Sequence, residues 1–130
     1  MSRIRKYRAW DIDNKKMHYF DSNGVMGGDW FIDFFGQVWE RHDDTGGDFI
    51  VEGIELMDFI GLYDKNEKEV FENDILSDGQ DNFLIWIEEG KMLMGGLNRE
   101  WDIHINPNLI SELEIIGNIY ENSKLLNITP

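Results

Sequence analysis

The feature that most constrains the fold is the rhythm of short apolar runs along the chain. Runs rich in aromatic and β-branched residues recur at intervals of roughly 8–12 residues, separated by Gly, Asn and Asp clusters. Each run is too short for a typical globular helix but has the length of a strand. The chain carries 13 Gly and only 2 Pro, which suits many tight turns. The sequence therefore predicts a mainly β protein.

The predicted architecture is a set of strongly bent antiparallel sheets with little helix. No repeat or Pro/Ser-rich linker interrupts the 130 residues, so we predict a single domain over 1–130. Within it, residues 1–60 would form an N-terminal hairpin and a long excursion. Residues 61–130, where strand signals are closest together, would form a barrel-like half.

Individual segments give more specific expectations. Tyr7–Trp10 and Met17–Phe20 flank a polar turn and predict a hairpin. Trp30–Phe35 is predicted as a strand, because a helix would place Asp29 and Asp33 on one face. Asn82–Ile87 is apolar on both faces, which is typical of a central strand. The remaining predictions are a strand bent at Gly53 over 49–60, an alternating strand over 101–105, a turn at 106–108, a helical turn over 109–113, a last strand over 114–120 and a short helix over 123–126.

Charge is distributed unevenly along the chain. The net charge is −14, yet residues 1–16 hold six basic and two acidic residues, a balance of +4 that leaves −18 for the remainder. Such a surface repels nucleic acid and anionic membranes, so we expect no direct nucleic-acid binding. Solubility is the simplest role of this charge. The alternative is that the basic start pairs with the acidic body, in the same chain or in a neighbouring copy.

Several classes of site and location are disfavoured by composition. There is no Cys, which excludes disulfides, thiolate zinc sites and cysteine nucleophiles. No apolar stretch approaches the roughly 18 residues of a membrane span, and no signal peptide follows the basic start. We therefore expect a cytoplasmic protein without a membrane partner.

Four ordered sequence blocks resemble a known family. They are Lys6–Asp11 with Asn14–Met17, then Leu56–Leu62, then Asp64–Ile75, and finally Ile116–Asn122 with Leu125 and Leu126. Together they resemble the YopX family of phage and prophage proteins and span most of the chain. The resemblance implies a small, mostly β, phage-type protein of unassigned molecular role in the cytoplasm of a bacterial host.

The family blocks favour structural over catalytic roles. The resemblance implies Gly where Glu67 and Asn73 stand, at turns where a left-handed backbone would strain Glu67 more than Asn73. Asp74 has a catalytic interpretation, but hydrogen bonding to turn amides is favoured. We predict structural turn roles for six residues, namely Gly61, Asp64, Asn66, Asn73, Asp74 and Gly117.

A metal site has one set of candidates. His42, Asp43, Asp44 and Asp48 form the densest cluster of possible ligands, but their spacing matches no known metal motif. A solvated acidic loop is the favoured interpretation. The sequence also lacks a Gly-x-Ser-x-Gly elbow, a Gly-x-Gly-x-x-Gly and a P-loop. We therefore predict no catalytic residues and no cofactor.

Exposed aromatics are the best candidates for function. The aromatic run containing Trp30, Phe31, Phe34 and Phe35 is hard to bury in so small a protein and is predicted to contact another protein. Five other aromatics suit either the core or a groove, namely Trp39, Tyr63, Trp86, Trp101 and Tyr120.

Three hypotheses for function stay open at this stage. The leading one is a non-enzymatic protein-binding or self-assembling module, a homo-oligomer or the binder of an unknown protein. The second is an acidic mimic of DNA that inhibits a host DNA-binding protein, with carboxylates spaced along one face like phosphates. The third is a metal-dependent enzyme that uses the acidic loop over residues 42–48.

Overall fold

The computed structural model describes residues 6–20, 25–26, 30–33, 35–42 and 47–126, and its folded elements are almost all strands. The mainly β class with antiparallel sheets is confirmed. The chain forms two compact units, Met1–Asp58 and Phe59–Pro130. We call them the first and the second unit and describe each by itself. No helix in the described ranges is long and apolar enough to cross a membrane.

The first unit is built from two antiparallel groups of strands. The hairpin predicted at its start is confirmed, with Tyr7 opposite Phe20 and Asp11 opposite Lys16. The other side of this first strand pairs with residues 54–58. A separate four-stranded sheet follows the chain order. The strands are β1 (Tyr7–Asp11), β2 (Lys16–Phe20), β3 (Val25–Met26), β4 (Trp30–Ile32), β5 (Val38–His42), β6 (Gly47–Ile50) and the first half of β7 (Ile54–Tyr63).

The core of the first unit joins residues from both groups of strands. Ala9, Phe20 and Val38 are buried at its centre. Half-buried residues at alternate positions of the strands pack around them, because successive side chains of a strand point to opposite faces. These surrounding residues are Tyr7, Trp30, Ile32, Val51, Ile54 and Leu56.

Two predictions in the first unit are corrected. The strand predicted to reach Phe35 ends at Ile32, because the Asp33 carboxylate accepts hydrogen bonds from the backbone amides of Phe35 (2.8 Å) and Gln37 (2.9 Å) and closes a turn there. The segment 49–60 forms two strands rather than one bent strand. The break lies at 51–53, where Gly53 has φ +71°.

The second unit contains a five-stranded antiparallel sheet in the order β12-β11-β10-β9-β13. β10 lies at its centre, as its two apolar faces predicted. The second half of β7 pairs antiparallel with β8. The strands are β8 (Glu69–Phe71), β9 (Asp74–Ser77), β10 (Asn82–Glu88), β11 (Lys91–Gly95), β12 (Asp102–His104) and β13 (Glu114–Asn118).

The curled, half-barrel sheet of the second unit has an apolar core on each face. Leu76 and Ile85 point to one core, whereas their strand neighbours Ile75 and Trp86 point to the other. Trp86 is buried in this second core, so of the two roles considered for it, core or groove, the structure shows the core. The first core also contains Ile60, Val70, Met94, Ile110 and Leu113, and the second contains Leu84, Leu93 and Leu97.

Helix is limited to two short pieces near the end of the chain. α1 spans Pro107–Ile110, so Asn106 caps a helix where a simple turn was predicted. Its Oδ1 accepts a hydrogen bond from the backbone amide of Asn108 at 2.9 Å, and Pro107 occupies the first helical position. The predicted C-terminal helix over Ser123–Leu126 is a single 3-10 turn.

Two turn residues near β8 adopt the left-handed conformation that the resemblance implied. Glu67 has φ +63° and Asn73 has φ +71°. Asn tolerates this region, whereas a long side chain with an ordinary Cβ is strained in it. Glu67 is solvent-exposed in the loop.

Replacing Glu67 by glycine is expected to stabilise the protein by about 1 kcal/mol, because glycine removes the left-handed strain. The midpoint of urea unfolding measures the change. Lys68→Gly is the matched control. Lys68 is next to Glu67 in the chain but has no positive φ, so glycine there is expected to lower the free energy of unfolding by about 0.5–1 kcal/mol. Equal destabilisation by both substitutions would contradict the strain argument.

Candidate functional site

The Asp64 carboxylate of the second unit accepts three backbone hydrogen bonds. Its Oδ1 accepts hydrogen bonds from the backbone amides of Asn66 (2.8 Å) and Lys68 (2.9 Å), and its Oδ2 accepts one from the backbone amide of Ile115 (3.0 Å). Burial raises the pKa of this carboxyl, but the three amide hydrogen bonds more than offset burial and hold the pKa below its ordinary value. Asp64 therefore fixes both its own turn and the start of β13.

The other predicted turn residues occupy the same part of the second unit. The Asp74 carboxylate is buried and accepts a hydrogen bond from the backbone amide of Phe71 at 2.8 Å. The Asn66 side chain donates to the Glu114 carboxylate at 3.3 Å, and the Asn73 side chain donates to the Tyr120 hydroxyl at 3.3 Å. These contacts hold the turns of the second unit to one another, to the start of β13 and to the turn that follows it.

The two predicted glycines meet different requirements. Gly61 has φ +90° and lies inside β7, where the register with β8 shifts by extra residues, as in a β-bulge. Gly117 has no positive φ, but a Cβ there would collide with the Asn122 side chain. Asn122 approaches so closely because its Oδ1 accepts a hydrogen bond from the backbone amide of Asn118.

A polar network in the first unit escaped the sequence reasoning. The Asp11 carboxylate accepts hydrogen bonds from Asn14 and Asp13, and these outweigh its burial and lower its pKa. The His18 Nε2 lies 3.8 Å from Asp11 Oδ2, and the His18 ring stacks on Trp30 at 4.4 Å between centroids. The Asp-x-x-Asn pattern at the hairpin turn was the available signal for the first of these contacts.

The predicted aromatic contact residues lie on two different faces of the four-stranded sheet. Trp30 points to the core side and donates its indole N–H to Glu40 at 3.0 Å. Phe31 lies on the opposite face, level with Trp39 of β5, which is itself level with Ile50 of β6. Phe35 is 90% exposed in the turn after β4. Phe34 lies outside the described residues.

We call the face formed by Phe31, Trp39, Arg41 and Ile50 the outer face. Ile50 is 49% exposed, and Phe31 and Trp39 are half-buried. The Arg41 guanidinium lies 5.6 Å from the centre of the Phe31 ring. The Trp39 indole N–H donates to Asp33 at 2.9 Å, which, with the backbone hydrogen bond from Gln37, lowers the pKa of that carboxyl.

The predicted metal ligands cannot be assembled into a site from the described residues. His42 ends β5, and Asp48 is an exposed residue of β6. Asp43 and Asp44 lie outside the described ranges. Within those ranges, no three His, Asp or Glu side chains are placed to hold a metal ion.

An open cleft of about 440 Å³ lies in the second unit beside the start of β10 and the turn between β11 and β12. Its aromatic wall is formed by Phe83 and Trp101, whose rings meet edge to face with centroids 6.0 Å apart. The carboxyl-bearing residues on the cleft are Asp81 and Glu100, and Leu97 connects it to the second core. Trp101 was among the aromatics predicted to line a groove.

These features define a class of protein: a small antiparallel β protein that uses several carboxylates to hold its own turns and presents aromatic surfaces to solvent. The chain belongs to the YopX family, since the family model described as YopX protein matches residues 6–127.

Two solved structures are similar to the chain as a whole. The crystal structure of protein EF1440 from Enterococcus faecalis is 27% identical, with a TM-score of 0.63, and the match covers 97% of this chain and 100% of that one. The crystal structure of protein yopX from Bacillus subtilis is 19% identical, with a TM-score of 0.58 and coverage of 92% and 96%. No curated protein matches the sequence.

Proposed function

We propose that this YopX family member is a phage-type protein of the bacterial cytoplasm that acts without catalysis, by associating with a second copy of itself. The observation that carries the proposal is the outer face of the first unit. It combines exposed apolar surface with Phe35, which projects almost completely into solvent beside it. Isolated exposed apolar side chains are ordinary, whereas a row of them across neighbouring strands is typical of a contact surface.

Local charge favours a second copy as the occupant of the outer face. Most of this protein is strongly acidic, so two copies repel one another over most approaches. The outer face differs because Arg41 lies directly across from Asp48 and beside the aromatic ring of Phe31. A face with both charge signs around an apolar row is able to pair with itself across a two-fold axis.

Size-exclusion chromatography with light scattering tests the proposal. We expect a dimer that dissociates on dilution, and we expect the double variant Phe35→Ser/Ile50→Thr to be monomeric at the same concentrations. Phe35 is 90% exposed and Ile50 is half-exposed, and neither belongs to the core of the first unit, so we expect the variant to retain its fold. Ile103→Thr is the matched control, since Ile103 is equally an exposed edge-strand residue, at 44%, but lies in the second unit.

A monomeric mass for the unmodified protein at all accessible concentrations would overturn the proposal. So would a dimer that the double variant and Ile103→Thr leave equally intact. Neither the DNA-mimic nor the metal-enzyme hypothesis is favoured by a specific contact among the described residues.

A further inference from the structure

We propose that the cleft of the second unit and the adjoining edge of β12 bind an extended, basic polypeptide segment. The site uses no residue of the outer face, so this inference stands independently of self-association. It rests on three features that coincide in one place: an open strand edge, an aromatic wall and an excess of carboxylates.

The first feature is the open edge of the five-stranded sheet. Among the described strands, β12 is the terminal one of this sheet and pairs only with β11, and its three residues are all exposed. The backbone amides of Gly96 and Ile105 donate across the β11–β12 pair, to Trp101 and Met92 respectively. Hydrogen-bonded positions alternate in an antiparallel pair, so the amides and carbonyls of Asp102 and His104 point away from β11. An added strand would pair with them.

The second feature is the aromatic wall beside that edge. Trp101 is 44% exposed and immediately precedes β12, so a segment paired with β12 runs past its ring. Ile103 lies two residues further on the same side of the strand and is also 44% exposed. An extended segment that alternates side chains thus meets an apolar strip with the cleft at one end.

The third feature is the charge of the cleft. Glu100 is held in place: its carboxylate packs against Gly96 and accepts a hydrogen bond from the backbone amide of Asn98 at 3.0 Å. Asp81 provides a second carboxylate on the same cleft. The nearest cation of this turn, Arg99, is directed to the Trp86 ring, with its guanidinium carbon 5.3 Å from the ring centre.

These features select a lysine or arginine side chain as the group that enters the cleft. Two carboxylates attract its charge. The face of the exposed Trp101 ring can pack against both the cationic group and the aliphatic stem of such a side chain. Anionic ligands, nucleic acid included, are repelled by the same carboxylates and by the net charge of −14. A basic extended segment satisfies the strand edge and the cleft together.

Fluorescence anisotropy with a labelled peptide tests the proposal. The probe is an extended peptide of about eight residues that alternates lysine and valine, and its glutamate–valine counterpart is the comparison. We expect saturable binding of the basic peptide only. The variant Asp81→Asn/Glu100→Gln is expected to weaken binding by about tenfold or more, and Trp101→Leu by a similar factor.

Two further variants separate this site from general attraction to an acidic protein. Glu88→Gln/Glu112→Gln removes the same charge from exposed positions, Glu88 lying at the opposite end of β10 from the cleft, and is expected to leave binding within about twofold. His104→Pro removes an amide that points to the open edge and costs no bond to β11, so the fold is retained while strand addition is blocked.

Binding of both peptides, or equal losses in the two charge variants, would overturn the proposal. So would the absence of saturable binding at millimolar peptide and low salt. Amide chemical shifts of the unmodified protein provide a second measurement. Changes on adding the basic peptide are expected at residues 80–83 and 96–104, and changes confined to other regions would contradict the assignment.

Discussion

Replacing Asp64 by alanine is expected to lower the free energy of unfolding by about 3 kcal/mol. The side chain is only 3% exposed and accepts three backbone hydrogen bonds, one of them from Ile115, 51 residues away. Alanine leaves these donors without their acceptor and detaches the 64–68 turn from β13. Urea unfolding measures the loss through its midpoint and slope.

Two variants check that the hydrogen bonds cause this loss. Asp64→Asn keeps the shape and one acceptor oxygen, so it is expected to cost about half as much. Asp78→Ala removes a carboxylate that accepts hydrogen bonds from the backbone amides of Gln80 and Asp81 in an exposed turn. It is expected to lower the free energy of unfolding by less than about 1 kcal/mol. A cost for Asp78→Ala as large as that for Asp64→Ala would show that burial and the long-range bond contribute nothing.

The same variants predict how stability depends on pH. The folded-state pKa of Asp64 lies below the ordinary value of an aspartate, so the contribution of Asp64 to stability is complete above that ordinary value and is lost as the pH falls through the lower, folded-state value. The difference in stability between the unmodified protein and Asp64→Asn is therefore expected to be constant near neutral pH and to shrink below about pH 4. A difference that grows on acidification would contradict the hydrogen-bond origin of the shift.

Replacing Gly95 by alanine is expected to destabilise the protein by about 2–3 kcal/mol and to loosen the β11–β12 hairpin. Gly95 lies between β10 and β12, opposite Leu84 and Asp102. A Cβ there would collide with the carbonyl oxygen of Trp101 and lie 2.9 Å from the Cα of Asp102. Both are backbone atoms, so the strands must separate to make room.

Gly47→Ala is the matched control for this substitution. Gly47 is also a strand glycine, but a Cβ there meets no heavy atom within 4 Å, and its φ is not positive. Gly47→Ala is expected to change the free energy of unfolding by less than about 0.5 kcal/mol. Urea unfolding and amide hydrogen exchange over residues 91–104 distinguish the two variants. Similar exchange protection in both would show that the hairpin tolerates a side chain at Gly95.

Local pattern predicted most of the strands of this protein. The hairpin of β1 and β2 and the central position of β10 follow from alternation and from apolar faces, which are properties of consecutive residues. The same approach failed at Asp33, because a strand pattern does not reveal a carboxylate that accepts two backbone amides and an indole N–H. Side-chain competition for backbone donors ended the strand there.

The candidate sites depend on contacts that local pattern does not encode. The cleft unites residues 80–83 with residues 96–101, which come from different hairpins and meet only through the register of β9, β10 and β11. Trp101 was recognisable as a groove aromatic, but its partner Phe83 was not. Predicting the outer face would have required knowing which side of β4 faces the core. In the structure Trp30 faces the core and Phe31 lies on the opposite side of the sheet.

The bond between Asp64 and Ile115 has a consequence for the protein during synthesis. β9 is synthesised about forty residues before its neighbour β13. Until β13 is made, one edge of β9 has no partner strand, and the Asp64 carboxylate lacks the hydrogen bond from the Ile115 amide. We call this unpaired edge the border of the sheet. A polypeptide terminated before residue 114 keeps that border for its lifetime, which marks it for proteases or for association with other unfinished chains.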